Sequence, residues 1–336
     1  MAVISAMDED VIMTLSNEEL KKIYFGAYNF ADVEGGWLRA FQHTQEQVAW
    51  FKQRMDFYYD RSMASTSKTF EFTTDADSVS FDYKVIWKGS PDSFELYTEG
   101  LLNQIFYIKD LMDTGTLTFD LSAHREGIYG DKKKKVVIYL PADATVLVKN
   151  FTINGTYEPA KKDAKVLWLG DSITQGYGPL RSSQTYVSVA NRLLNWDIIN
   201  QGIGGYVYDR GSLLEMSGYK PEKLVIALGT NQYGDLDMKM VKEYYPRLFE
   251  LYGKDIPTLV ITPLWRGDNM AGVPTLVKFC DNLKEILAEY PNIKVVDGFT
   301  LVPHLGEYYL DNLHPNCLGC EVYGRNLVEK IRELGF

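Results

Sequence analysis

The stretch "AKVLWLGDSITQGYG", residues 164–178, sets a short apolar run, Val166 to Leu169, against an abrupt break at Gly170 and Asp171. A run of that length bounded by turn residues reads as a buried strand, and the residues after the break read as the start of a helix. Ser172 therefore stands at a strand-to-helix corner. Two roles fit it there. Serine is a favoured helix N-cap, and the N-terminal end of a helix is also where developing negative charge is stabilised. The corner alone leaves both open.

Downstream of this stretch the pattern repeats. The strand-like runs "KVLWL", "DIINQG", "KLVIALG", "TLVITP" and "IKVVDG" alternate with helix-like segments such as "SSQTYVSVANRLLN", "DMKMVKEYYPRLFELYG" and "TLVKFCDNLKEILAEY". Strands spaced by helices imply right-handed crossovers and a parallel sheet covered on both faces. Ligands bind such sheets at the loops leaving the carboxyl ends of the strands.

Upstream the period changes to two. "TFEFTT", "SVSFDYKVIW", "SFELYTEG", "TLTFDLS", "KVVIYLP" and "TVLVKNFTING", between about Phe70 and Asn154, alternate apolar and polar residues between Gly, Pro, Asp and Ser turns. Many short strands without helical spacers indicate an antiparallel β-sandwich or jelly roll. In "GGWLRAFQHTQEQVAWF", Thr44 followed by Gln47 predicts a helix start with a capping box. The polar, Pro-containing "YEPAKKDAK", Tyr157 to Lys165, is the expected linker. The expected organisation is a jelly-roll-like β-sandwich over residues 1–160 and an α/β domain over 161–336, a length suited to two domains.

The balance of charge excludes several functions. A net charge of −10 disfavours nucleic acid and anionic membranes, and the one basic run, Lys132 to Lys135, reads as a solvated loop or strand edge. No apolar run approaches the ~20 residues needed to span a bilayer, and "MAVISAMDEDVIM" turns acidic where a secretory signal would be apolar, so a cytoplasmic location is expected. Three cysteines, Cys280, Cys317 and Cys320, are too few for a disulfide framework. Cys317 and Cys320 form a C-x-x-C near His314, but no second pair completes a zinc set, so reduced thiols in the first turn of the last helix are expected, without metal dependence.

The chemistry-bearing residues of the α/β half fall at strand ends. The first strand delivers Ser172. The second ends in "INQGIGGY", where Gly202, Gly204 and Gly205 offer backbone N–H groups that a ligand can approach closely. The third ends in "LGTNQYG" with Asn231, and near the C-terminus "YLDNLHPN" sets Asp311 and His314 three residues apart. Nucleophile, base, orienting carboxylate and two kinds of oxyanion donor are all present. Capping alone does not account for Ser172 in this company. Asn231 as a turn residue and Asp311 as an N-cap are the plainer readings of those two. Among the other histidines, His43 and His124 fall in the β half, and His304 in "LVPHLGEYY" lacks a carboxylate three residues before it.

From Lys165 to Phe336 the chain resembles the SGNH (GDSL-type) hydrolases. Gly170 to Ile173 match the G-D-S-[IL] block, Asn200 to Gly205 the second block, Gly229-Thr230-Asn231-Gln232 the G-x-N-D block except at its last position, and Asp311 with His314 the D-x-x-H block. The resemblance implies a flavodoxin-like parallel sheet flanked by helices. It implies Ser172 as nucleophile, His314 as general base and Asp311 as its orienter. The oxyanion donors it implies are the Ser172 and Gly205 N–H groups and the Asn231 amide, with no cofactor. Gln232 in place of Asp leaves open how Asn231 is held.

An N-terminal β-sandwich on such a domain is similar to certain carbohydrate esterases, which implies a small-molecule or oligosaccharide ester as partner, such as an acetylated xylo- or manno-oligosaccharide. In "TPLWRGDN", Trp265 is expected to wall a small acyl pocket or to pack the domain interface, and Arg266 or Asp268 to meet sugar hydroxyls. An acyltransferase of the same fold, a lipase or thioesterase, and a non-catalytic glycan-binding protein are the competing readings. The oligomeric state is not legible in the sequence.

Overall fold

The computed structural model describes residues 12–122 and 133–336; residues 1–11, His124 and Lys132 lie outside it. The N-terminal part contributes strands β1 (Met13–Thr14), β2 (Tyr24–Phe25), β3 (Asn29–Val33), β4 (Trp37–Phe41), β5 (Thr69–Thr74), β6 (Ser78–Lys88), β7 (Ser93–Thr98), β8 (Leu101–Tyr107), β9 (Thr114–Asp120), β10 (Lys134–Tyr139), β11 (Ala144–Ile153) and β12 (Tyr157–Pro159). They form two antiparallel sheets, one ordered β3-β4-β11-β6-β9 with β1 on β11, the other β12-β5-β10-β7-β8 with β2 on β5. The alternation works as the sequence predicts: in β6, Val79, Phe81, Tyr83 and Val85 are buried while their neighbours are not. Phe81 stacks at 5.6 Å on Phe151 of the neighbouring strand, and Phe70 of the other sheet meets Phe151 edge-on at 4.9 Å.

Helix α1 (Asn17–Ile23) precedes β2, and α2 (Gln45–Arg54) and α3 (Asp56–Ser62) lie between β4 and β5. The capping box at Thr44 is present: Gln47 N–H donates to Thr44 Oγ1 at 3.1 Å and Thr44 N–H to Gln47 Oε1 at 2.9 Å.

Two local expectations are corrected. The lysine run does not mark an edge, because β10, which begins at Lys134, pairs with both β5 and β7 and buries Lys134. Nor is Tyr157 to Lys165 wholly a linker. Tyr157 to Pro159 pair with β5 and Ala160 N–H donates to Glu71 O at 3.1 Å, so little chain remains before the next strand. Proline sits at the end of this edge strand, where its missing N–H costs no ladder bond.

The C-terminal part is a five-stranded parallel sheet, β13 (Lys165–Gly170), β14 (Asp197–Gly202), β15 (Lys223–Ala227), β16 (Thr258–Ile261) and β17 (Ile293–Val296), ordered β14-β13-β15-β16-β17. This is the flavodoxin-like order, with its switch point where β13 lies between β14 and β15. Between β13 and β14 run a short helix α4 (Ser172–Gln175) and α5 (Tyr186–Leu194). One face of the sheet, through Val166 and Trp168, packs on α5 and on α8 (Cys317–Leu334). The other, through Leu167 and Leu169, packs on α6 (Lys239–Tyr252) and α7 (Val273–Leu287). Successive residues of β13 thus serve opposite layers, which explains its uninterrupted apolar run.

The two parts share a polar seam. Every residue of β7 is buried, including Glu95, which accepts from Arg181 Nε and Nη2 at 2.8 and 2.6 Å, from Ser182 Oγ at 3.1 Å and from Ser183 N–H at 2.6 Å. A buried carboxylate saturated in this way ties the two parts together instead of costing an unpaired charge. Among the described residues no helix is long and apolar enough to cross a membrane.

Candidate active site

Ser172 is the first residue of α4, two residues past the end of β13. The helix is capped by Asp171, whose Oδ1 accepts the Ile173 N–H at 3.0 Å. Ser172 is therefore not the cap, and its hydroxyl is spent elsewhere: Oγ lies 2.8 Å from His314 Nε2. Burial pushes the Asp171 carboxyl up to about 7, against the Ile173 N–H bond and the charge of Arg266.

His314 reaches Ser172 from a loop just before α8. Leu310 N–H donates to His314 O at 2.8 Å, Asn316 N–H donates to Tyr308 O at 3.0 Å, and Asn316 caps α8. Asp311 Oδ2 is 2.7 Å from His314 Nδ1, and its Oδ1 accepts the His314 and Leu313 N–H groups at 2.7 and 3.1 Å. Asp311 starts no helix, so its side chain serves the histidine and not a cap. Burial pushes the Asp311 carboxyl up, but the bonds from the His314 backbone and ring outweigh it and hold the group below its ordinary value. The His314 side chain is 14% exposed and that of Asp311 43%. The edge of Tyr177 packs on the His314 ring with centroids 4.7 Å apart.

The glycines after β14 form a turn closed by Tyr206 N–H on Ile203 O at 3.1 Å, in which Gly205 has φ +73°, the left-handed region that favours glycine. Gly204 N–H is committed to Gln175 Oε1 at 2.8 Å; among the described residues Gly205 N–H has no protein acceptor. This distinguishes the two glycines, which their sequence does not. Asn231 Nδ2 donates to Tyr206 O at 2.9 Å, so one of its amide hydrogens fixes the side chain to the same turn and the other remains available. Gln232 answers the departure from the family block. Its Oε1 accepts the Tyr208 N–H, so it braces the segment that holds Asn231.

Trp265 and Arg266 are both partly buried and make their contacts with neighbouring loops. Trp265 stacks on His304 at 5.1 Å and packs on Tyr309 at 5.6 Å, both residues of the C-terminal part. Arg266 donates through Nε and Nη2 to Asp268 at 3.0 and 2.7 Å and through Nη1 to Thr230 O at 2.8 Å. Three of the five Arg266 N–H donors are thus used inside the loop, and one of them ties the guanidinium to the carbonyl of Thr230, the residue before Asn231. His304 is exposed, with Nε2 3.0 Å from Phe299 O.

Sequence reasoning missed a neighbouring surface. Helix α3 lies against the glycine turn, with Tyr58 donating its hydroxyl to Gly205 O at 3.3 Å. A Cβ on Gly204 would come within 2.9 Å of Arg61 Cδ and 3.2 Å of Phe57 Cε1. Arg61 lies over the Phe57 ring at 3.5 Å and near Trp87 at 5.5 Å. The density of aromatics in "DFYYDRS" was the available signal.

A cavity of about 330 Å³ lies elsewhere, at the seam between the parts, lined by Tyr97, Tyr139, Lys162 and Arg192 among others and by none of Ser172, Asp311 and His314. Chemistry decides against it as the active site, because it contains no nucleophile paired with a base. Among the described residues no group of three or more His, Cys, Asp and Glu side chains is arranged to hold a metal, and Cys280, Cys317 and Cys320 are free thiols.

Comparison with known proteins follows the same division. Residues 168–322 match the GDSL-like Lipase/Acylhydrolase family. No curated protein sequence matches the chain. Among solved structures, the salicylyl-acyltransferase SsfX3 from a tetracycline biosynthetic pathway is similar over 98% of this chain and 99% of its own, at 18% identity and a TM-score of 0.73. A family two carbohydrate esterase from Cellvibrio japonicus is similar over 96% of this chain and 97% of its own, at 13% identity and a TM-score of 0.62. A family two carbohydrate esterase from Clostridium thermocellum, in complex with cellohexaose, is similar over 81% and 94%, at 17% identity and a TM-score of 0.60. These identities speak for a shared fold, and a shared fold does not by itself assign a substrate. The C-terminal part of this chain, with Ser172, Asp311 and His314 inside it, is a GDSL-like (SGNH) lipase/acylhydrolase domain.

Proposed function

We propose that the protein is a serine esterase that hydrolyses short acyl esters, acetyl esters of carbohydrates in particular, through an acyl-enzyme on Ser172. The observation that carries this reading is the 2.8 Å approach of Ser172 Oγ to a histidine whose other ring nitrogen is held by a carboxylate.

A serine hydroxyl is a poor nucleophile at neutral pH. His314 Nε2 takes its proton as Oγ attacks the ester carbonyl, and Asp311 stabilises the imidazolium that forms. Negative charge gathers on the former carbonyl oxygen, where the Ser172 and Gly205 N–H groups and the free hydrogen of the Asn231 amide act most strongly in the transition state. His314 returns the proton to the departing alkoxide, leaving the acyl group on Oγ. Water, deprotonated by the same histidine, then releases the acid.

The carbohydrate part of the reading is supported by the fold shared with the family two esterases and by the aromatic face of α3 beside the glycine turn. A second reading, transfer of the acyl group to an alcohol in place of water, is supported by the end-to-end likeness to SsfX3. One experiment separates them. Rates are measured on a chain-length series of nitrophenyl esters and on acetylated xylo- and manno-oligosaccharides, with and without an added alcohol acceptor, and the products identified. Preference for acetyl and release of acetate supports the esterase. Acylated acceptor as the main product replaces it with the transferase, and preference for long chains replaces it with a lipase.

A further inference from the structure

We infer that Asp143, a residue of the N-terminal β domain, positions the oxyanion turn through Gln175. The inference rests on the reading of Ser172 as nucleophile and Gly205 as oxyanion donor.

Gln175 ends the helix that Ser172 begins, and its side chain is buried. Its Nε2 donates to Asp143 Oδ1 at 2.7 Å and its Oε1 accepts the Gly204 N–H at 2.8 Å. Asp143 is buried as well, and its second oxygen accepts the Ser90 N–H at 2.7 Å. Both carboxylate oxygens therefore act as acceptors.

The orientation of the glutamine is a consequence. A carboxylate that only accepts can face only the NH₂ end of an amide, which turns the Gln175 oxygen toward Gly204. The β domain thereby decides which end of Gln175 meets the glycine turn. A four-residue helix has no rigidity of its own, and a glycine pair has less. The chain Asp143–Gln175–Gly204 locks nucleophile and turn into one unit, so that Gly205 keeps a fixed place relative to Ser172. Displacements of about 1 Å at such a site cost on the order of 10² in rate. Asp143 touches no reacting atom and is a positioning residue.

A reversal of the hydrogen-bond roles tests it. In Asp143→Asn the Ser90 N–H holds the new amide oxygen, so the NH₂ group faces Gln175. Gln175 must then flip and present its own NH₂ to Gly204 N–H, donor against donor. In Gln175→Glu two carboxylates face each other. In the double variant the amide introduced at position 143 donates to the carboxylate introduced at position 175, whose other oxygen accepts the Gly204 N–H, and the buried charge is conserved.

With nitrophenyl acetate, each single variant is expected to lose about tenfold or more in kcat with KM nearly unchanged. The double variant is expected to recover most of that loss, whatever happens to its thermal midpoint. A merely structural role would move stability without a kcat-specific rescue. Full kcat in either single variant, or no recovery in the double variant, overturns the inference. Should Asp143→Asn not fold, Gln175→Met removes the acceptor from Gly204 without adding charge, and undiminished kcat there overturns it equally. Ser172→Ala, assayed alongside, reports on the underlying reading: hydrolysis retained there removes the nucleophile and this inference with it, whereas failure of the reversal alone removes only the role of Asp143.

Discussion

Asp311 holds His314 twice, by its ring nitrogen Nδ1 at 2.7 Å and by its own backbone N–H at 2.7 Å. One carboxylate thus fixes both the tautomer of the imidazole and the loop that presents it, and the spacing of three residues is what allows both bonds. Because these bonds hold the carboxyl below its ordinary value in spite of burial, it stays ionised through mildly acidic pH.

His314→Ala is expected to lower kcat by about 10²–10⁴, as loss of a general base does. Asp311→Asn is expected to cost less, because the half-exposed carboxylate orients the ring and does not itself carry the proton. His304→Ala, whose ring stacks on Trp265 away from Ser172, is expected to leave kcat nearly unchanged. Steady-state kinetics on nitrophenyl acetate ranks the three, and damage from His304→Ala equal to that from His314→Ala reverses the assignment of the base.

Asn231→Ala is expected to cost about 10²–10³ in kcat, as a lost oxyanion donor does, with little change in KM. Arg266→Ala is expected to lower kcat more than it raises KM for an acetylated sugar, because Arg266 braces Thr230 next to Asn231. A change confined to KM would return Arg266 to a sugar-binding role.

A part for the β domain in specificity, proposed from the aromatics of α3 and from Trp87 of β6 beside Arg61, is open to test. Phe57→Ala and Trp87→Ala are expected to raise KM for acetylated oligosaccharides several-fold and to leave nitrophenyl acetate hydrolysis nearly unchanged, the signature of lost uniform binding. Circular dichroism checks the fold. Equal effects on both substrates, or none, would reduce this face to a structural support.

His43 makes a prediction about stability instead of rate. Burial pushes its ring down to about 3, opposed by the bond to Ser62 O and reinforced by the charge of Lys68. The folded protein keeps His43 neutral while the unfolded chain protonates it near pH 6.5, so the unfolded state binds more protons between pH 6.5 and 3. Its contribution is fully present above pH 6.5 and is lost as pH falls toward 3. From pH 7 to 5 the wild type should lose about 2 kcal/mol more unfolding free energy than His43→Asn, whose amide can replace the Nδ1–H donor. Urea melts at the two pH values measure the difference, and parallel losses contradict it.

What was legible in the sequence was what local pattern encodes. The apolar run of β13, the corner at Ser172 and the three-residue step from Asp311 to His314 are short-range features, and the strand-helix alternation places their loops at one rim. Pairing partners are not local. The same alternation that marked β10 as a strand could not say that the strand would lie between two neighbours and bury Lys134, and a Pro-containing polar segment concealed β12 at the sheet edge. Gln175 and Asp143 were invisible for the same reason. Neither residue type stands out in the sequence, and 32 positions separate them along the chain. Trp265 and Arg266 were found as residues, but whether their polar and aromatic groups faced solvent or one another depended on His304, Asp268 and Thr230.

The covalent role of Ser172 underlies every kinetic expectation above. It is read out by mass spectrometry of the wild type and of Ser172→Ala after reaction with a serine-directed fluorophosphonate, with residual nitrophenyl acetate hydrolysis followed in parallel. One label per chain is expected, mapped to the peptide containing Ser172, with loss of activity in step with labelling and neither label nor significant turnover in Ser172→Ala. A label on another residue, or hydrolysis undiminished in a folded Ser172→Ala protein, would contradict that role.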